Sequence, residues 1–342
     1  MKRLTFRHLA AILLPAALLC AGLPAGAQDP DPAARYAIVD LSVGFLRAEP
    51  DYESALETQN LMGTVVTTID TTNYWIRVHT PEPYDAWINA LALAPKTYSQ
   101  VREWLSADRL ICAGRPEARP ERGETAWIYA APSRRGDRLG DLVRGDILQD
   151  GGRQRGAFRE VVLPSGRHGW VLKKHLAPLD KWVASRQPTR EHIVAEALRY
   201  VGVPYQWGGA SVKGLDCSGL VRQTYFMNGL LLPRNASQMV RCGDPLDVSH
   251  VLEGDFSTLL PGDLLFFGNR ETGKVTHVAL YIGDGHIIHA SQRVRINTLL
   301  PSEPDYYENA HRLLYGRRIL GNADCGKGIR SLARSPWYFL QP

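Results

Sequence analysis

Short apolar stretches broken by Gly, Pro, Asp and Asn dominate the first half of the chain. Gly63-Thr64-Val65-Val66-Thr67-Thr68-Ile69 and Tyr74-Trp75-Ile76-Arg77-Val78 read as strands, as do Gly145-Asp146-Ile147-Leu148 and Phe158-Arg159-Glu160-Val161-Val162-Leu163. Such runs predict small all-β barrels or sandwiches. The period changes after residues 184–188. Thr189 is an N-cap candidate, and Ile193, Val194, Ala197, Leu198 and Val201 fall at helical spacing until Gly202 stops the run. A second helix is predicted from Cys217 on the strength of Leu220, Val221, Thr224 and Tyr225. Strands follow at 263–267, 275–282, 286–290, 294–298 and 312–319. A helix carried on an antiparallel sheet is an α+β layout.

The β-rich half contains an internal repeat. Phe45-Leu46-Arg47-Ala48-Glu49-Pro50 is echoed 82 residues later by Trp127-Ile128-Tyr129-Ala130-Ala131-Pro132. Asp85-Ala86-Trp87-Ile88 is echoed 83 residues later by His168-Gly169-Trp170-Val171. Two landmarks at nearly one offset indicate a duplicated module, at 36–95 and 124–180. Each ends in a Trp-Ile or Trp-Val strand and a turn, which resembles bacterial SH3-like domains. Residues 96–123 are read as a linker, helical near 98–110 and rich in Pro, Arg and Glu at 114–123. A third domain spans 187–321, followed by a tail at 322–342.

Residues 1–27 read as a signal peptide. Lys2, Arg3 and Arg7 precede an apolar run at 9–23, and Ala25-Gly26-Ala27 is an A-x-A cleavage site. Pro15 and Pro24 interrupt the run, which is short for a membrane span, and bulky Leu19 disfavours lipidation at Cys20. Cleavage removes three of 40 basic residues and none of the 35 acidic ones, which leaves a charge near +2. No basic run interleaved with aromatics points to nucleic acid. An exported, periplasmic monomer that leaves the membrane after cleavage is expected. Cys112, Cys242 and Cys325 allow one disulfide in such a compartment or remain buried thiols.

Cys217 lies between Asp216 and Ser218 where the helical pattern begins. The N-terminal end of a helix favours a thiolate, and a neighbouring imidazolium adds to this. The Cys217 N–H is a candidate oxyanion donor. Histidines are available at 250, 277, 286, 289 and 311; His277 heads a strand and is the natural base, with His289 as the candidate that orients it. Their spacing matches no zinc motif, and neither metal nor cofactor is expected.

Six segments carry a resemblance. They are Pro204-Tyr205-Gln206-Trp207-Gly208-Gly209, Leu215-Asp216-Cys217-Ser218-Gly219-Leu220-Val221, Leu232-Pro233-Arg234-Asn235-Ala236-Ser237-Gln238, Pro261-Gly262-Asp263-Leu264-Leu265-Phe266-Phe267, Thr276-His277-Val278-Ala279-Leu280-Tyr281-Ile282-Gly283 and Ile287-Ile288-His289-Ala290-Ser291. In this order they resemble the NlpC/P60 family of cell-wall cysteine peptidases, which have a papain-like core. The resemblance implies Cys217 as nucleophile, His277 as base and His289 as third member. It places Tyr205, Asp216, Ser218 and Ser237 near the substrate. Asn235 departs from the aspartate that the family often has. The family cuts stem peptides of peptidoglycan after γ-linked D-Glu, through a thioester.

Two SH3-like modules before such a domain resemble the γ-D-glutamyl-L-diamino acid endopeptidases related to dipeptidyl-peptidase VI, which recycle murein peptides with a free N-terminal L-Ala. The resemblance assigns that amine to an acid and a tyrosine of the first module, read here as Glu49 and Tyr84; the second copy has Ala131 in place of Glu49. The alternatives are a hydrolase acting on intact sacculi during growth or division and a non-catalytic wall-binding protein.

Overall fold

A computed structural model describes residues 35–114 and 125–341. The expected signal peptide, and most of the Pro- and Arg-rich part of the linker, lie outside the described residues. Among those described, no helix is long and apolar enough to cross a membrane.

The first module is a seven-stranded sheet made of β1 (Arg35–Val39), β2 (Val43–Arg47), β3 (Leu56–Leu61), β4 (Val65–Thr72), β5 (Trp75–His79), β6 (Asp85–Asn89) and β7 (Leu93–Lys96). The second contains β8 (Arg109–Cys112), β9 (Thr125–Tyr129), β10 (Arg138–Val143), β11 (Ile147–Arg155), β12 (Phe158–Val162), β13 (His168–Leu172) and β14 (Leu176–Pro178). Strand order in the first is β3-β2-β6-β5-β4-β1-β7, and in the second β10-β9-β13-β12-β11-β8-β14. Adding seven to every strand of the first order gives the second, so the repeat is a topological duplication. β8 falls inside the segment read as a linker. It is short and uniformly buried, so it carries no alternation to betray a strand.

The joining helix, Tyr98–Ser106, opens on a capping box. Thr97 Oγ1 accepts the Gln100 N–H at 3.3 Å, and Gln100 Oε1 accepts the Thr97 N–H at 2.9 Å. It stops short of residue 110, where β8 has begun.

In the third domain, helix Arg190–Leu198 is capped by Thr189 as the pattern predicts. The two-residue strands β15 (Ala210–Ser211), β16 (Gly214–Leu215) and β17 (Leu230–Leu231) flank helix Cys217–Phe226. That helix lies on an antiparallel sheet of β18 (Asp244–Leu246), β19 (Leu264–Gly268), β20 (Val275–Gly283), β21 (His286–Ser291), β22 (Arg293–Thr298) and β23 (Leu313–Arg318), in the order β18-β23-β19-β20-β21-β22. Two-residue alternation gives the sheet two apolar faces. Leu264, Phe266, Val278, Leu280 and Ile288 face the cysteine helix. Leu265, Phe267, Ala279, Tyr281 and Ile287 pack beneath Val251 and Leu259. Residues 242–260 thus supply a cover for the far face.

The last residues do not form a free tail. Trp337 and Tyr338 are buried in a cluster with Tyr36 and Val65 of the first module, Ile111 and Ile147 of the second, and Phe226 and Met227 at the end of the cysteine helix. Three domains therefore share one core. Buried ion pairs reinforce it: Arg144 of the second module holds Glu196 through contacts of 2.5 and 2.9 Å, and Arg222 of the cysteine helix holds Glu82 of the first module at 2.5 Å. Cys112, Cys217, Cys242 and Cys325 are all free thiols, so the allowed disulfide does not form.

Candidate active site

Asp216 is the N-cap of the cysteine helix and accepts the Gly219 N–H at 2.6 Å. Its other oxygen accepts the Gly208 N–H at 3.0 Å. The Gly209 carbonyl in turn accepts the Asp216 N–H at 3.0 Å. A Cβ at position 219 would meet that carbonyl oxygen at 1.9 Å, so only glycine lets the turn clamp the helix start. The clamp fixes Cys217 in the first helical turn, where it is 9% exposed.

The Val278 and Ser218 N–H groups reach the Cys217 sulfur and favour a thiolate, but burial dominates. Burial, with the Asp216 carboxylate adding to it, pushes the thiol up to about 11. This reverses the expectation of an acidified thiol. The capping carboxylate occupies the positive helix end, and the site admits little water.

The proton directions in the site follow from a peptide carbonyl at its far end. The Asp305 carbonyl can only accept, so the Asn297 atom 2.8 Å away is its amide nitrogen. Asn297 Oδ1 then faces His289 Nε2 at 2.8 Å and makes that nitrogen a donor. Neutral His289 consequently presents a bare Nδ1, which accepts the His277 Nε2–H at 2.8 Å. His277 is left with an unprotonated Nδ1, the state a general base requires. His289, the expected third member, is the ring that His277 meets, and Asn297, which sequence reasoning missed, extends the chain by one residue.

The pair is kept neutral. His289 is fully buried, and burial lowers it to about 4, with the Arg295 cation on the neighbouring strand also opposing protonation. Burial, the His289 ring and Arg312 lower His277 to about 3. Tyr307 packs against both rings, 6.0 Å from His277 and 4.7 Å from His289 between centroids. The resting combination is therefore thiol plus imidazole.

The residues read as substrate contacts separate into groups. Tyr205 lines the cleft; burial, then the Cys217 and Asp216 charges, hold its hydroxyl protonated to about 12. Asp216 and Ser218 are committed to structure. Arg234, 1% exposed, reaches Asp216 at 2.5 Å and the Ser218 hydroxyl at 2.9 Å. Both side chains are buried in this network. Ser237 is exposed on helix Ala236–Met239.

The first module borders this network. Arg234 Nε donates to Thr58 Oγ1 at 2.7 Å, and Gln59 Oε1 accepts the Ala210 N–H at 2.9 Å, so β3 lies against the active-site loops. Tyr84 donates a short hydrogen bond to Glu57 at the start of β3, and it also interacts with Asn235 and Arg234. The carboxylate at Tyr84 is thus Glu57. Glu49 lies in the exposed turn between β2 and β3, its N–H on Ser54 Oγ. The eight residues 48–55 join the two strands, so Glu49 and Glu57 stand on either side of one loop.

Beyond His277 opens a cleft of about 270 Å³, bordered by Tyr205, Phe267, His277, Tyr307 and Arg312 among others. Among the described residues no group of three or more His, Cys, Asp and Glu is placed to hold a metal ion.

This arrangement has relatives. Residues 202–314 match the model of the NlpC/P60 family, and residues 46–93 match that of the bacterial dipeptidyl-peptidase Sh3 domain. The chain is 30% identical over 263 residues to the gamma-D-glutamyl-L-lysine dipeptidyl-peptidase of Bacillus cereus, covering 74% of this chain and 73% of that protein. It is 30% identical over 282 residues to dipeptidyl-peptidase 6 of Lysinibacillus sphaericus, covering 80% and 95%. The crystal structure of an NlpC/P60 family protein from Bacillus cereus matches with a TM-score of 0.66 and 25% identity, over 83% of this chain and 99% of that one. These kinships over most of the chain place it: the chain belongs to the NlpC/P60 family of cysteine peptidases.

Proposed function

We propose that this peptidase hydrolyses the bond between γ-linked D-Glu and a diamino acid in murein peptides that carry a free N-terminal L-Ala. The observation that carries this reading is the Glu57–Tyr84 pair, set by the first module beside the active-site loop of Arg234 and Asn235. A carboxylate with a phenol beside it, in a half-buried border, suits a substrate ammonium. An acylated L-Ala amine has no positive charge to offer and leaves the carboxylate unpaired, which favours short recycled peptides over glycan-attached wall. The named activities of the two relatives, a γ-D-glutamyl-L-lysine dipeptidyl-peptidase and a dipeptidyl-peptidase 6, support the same bond.

In the reaction, Cys217 Sγ attacks the γ-carbonyl while its proton passes to His277 Nδ1. The tetrahedral oxyanion meets Tyr205 and the Cys217 N–H as donors. Collapse breaks the C–N bond, His277 returns its proton to the leaving amine, and a thioester remains. Water then attacks the thioester, giving a proton to His277; collapse breaks the C–S bond, releases the γ-carboxyl of D-Glu, and the sulfur takes the proton back from His277. The apolar N-terminal run and its A-x-A site support action outside the cytoplasm.

The test compares L-Ala-γ-D-Glu-diaminopimelate, the same peptide N-acetylated, and intact sacculi. Cleavage of the free tripeptide alone, abolished by Cys217→Ala, is expected. Equal cleavage of the acetylated peptide would overturn the role given to the amine.

A further inference from the structure

The cleft beyond His277 receives the leaving side of the substrate. His277 must hand its proton to the leaving nitrogen, so the residue bearing that nitrogen passes over the His277 side of the thiol. The acyl side is assigned to the border where β3 of the first module meets the loop of Arg234, none of whose residues lines this cleft. Aromatic rings of Phe267 and Tyr307 wall the cleft on the leaving side, and Arg312 is the charged side chain at its border, with no carboxylate in the lining.

Arg312 is held for use. It follows the short turn Ala310–Arg312, and its Nε donates to the Gly268 carbonyl at 3.1 Å, which fixes the plane of the guanidinium. Among the described residues it forms no ion pair with a carboxylate. Its charge already acts on the site, since it opposes protonation of His277. A half-buried guanidinium anchored through one nitrogen, with two more to offer, matches the fork geometry of a carboxylate.

Building on the peptidase reading above, we propose that Arg312 makes this cleft a subsite for a leaving residue with a free carboxylate. Two carboxylates share that chemistry: the α-carboxylate of a C-terminal diamino acid, and the distal carboxylate that diaminopimelate has and lysine lacks.

The experiment measures kcat/KM for three peptides: L-Ala-γ-D-Glu linked to diaminopimelate, to lysine, and to lysine α-amide. Each is tested with wild type, Arg312→Gln and Arg312→Lys, after thermal melts establish that the variants fold. Preference of the wild type for lysine over its amide assigns the α-carboxylate; preference for diaminopimelate over lysine assigns the distal one. Arg312→Gln should collapse the preferred ratio by roughly tenfold or more, and Arg312→Lys should restore part of it. Equal loss on all three peptides, or a wild type without preference, overturns the subsite while leaving the peptidase reading intact. Cleavage of none of the three overturns both.

Discussion

Asn297 Oδ1 lies 2.8 Å from His289 Nε2, and this one contact sets which ring donates in the His277–His289 hydrogen bond. Replacing Asn297 by Ala frees His289 to adopt the other tautomer, which turns a donor towards His277. A drop in kcat of roughly tenfold to a hundredfold is expected, with KM nearly unchanged. Steady-state kinetics on the free tripeptide check this. A rise in KM alone would mean that Asn297 serves the substrate and not the base.

Burial sets both limbs of the pH profile. His277, lowered to about 3, is neutral and able to accept a proton at every pH above that value. Cys217, raised to about 11, remains a thiol below it. The free-enzyme profile of kcat/KM should be flat through neutrality, without the limb near pH ~6.5 that an ordinary imidazole gives. Ultraviolet absorbance of the thiolate should be absent at neutral pH and grow only in strong alkali. A neutral-pH thiolate signal would show that the helix end and the His277 ring outweigh burial.

Glu57 and Glu49 offer a direct contrast. Glu57→Gln should raise KM for the free-amine tripeptide by roughly tenfold, through loss of a charge-assisted hydrogen bond. Glu49→Gln, in its exposed turn, should change KM less than twofold, on the order of a surface substitution. The reverse pattern would return the amine contact to Glu49.

Glu82 stabilises the buried Arg222 of the cysteine helix across a domain boundary. Truncation of Glu82 to Ala leaves that cation without its partner and should cost about 3–5 kcal/mol. Denaturant unfolding measures the loss directly. A loss well under 1 kcal/mol would mean that water enters the boundary and screens the pair.

The parts of the site carried by local pattern were legible in the sequence. Cys217 stands at the first turn of an apolar helix, and His277 and His289 sit on strands whose alternation is plain. Asn297 had no such signal, because an amide on an alternating strand looks like any surface polar residue until pairing places it opposite Ile287, next to His289 on β21. Glu57 was hidden for a related reason. Its neighbour Tyr84 is 27 residues away, and closure of the barrel is what brings them together. The acidity of the thiol was misjudged because helix polarity is visible in sequence and burial is not. The short strand Arg109–Cys112 escaped notice because every one of its residues is buried.

Trp337 and Tyr338 follow the whole catalytic domain in the chain, yet they complete the core that joins both β modules to the base of the cysteine helix. During synthesis that core stays unfinished until these two residues arrive. The nucleophile is thereby set in its final frame last, after the modules that border its cleft. The frame around Cys217 is therefore complete only in a chain made through to Tyr338, and a prematurely ended copy is left with an open seam for proteases to find.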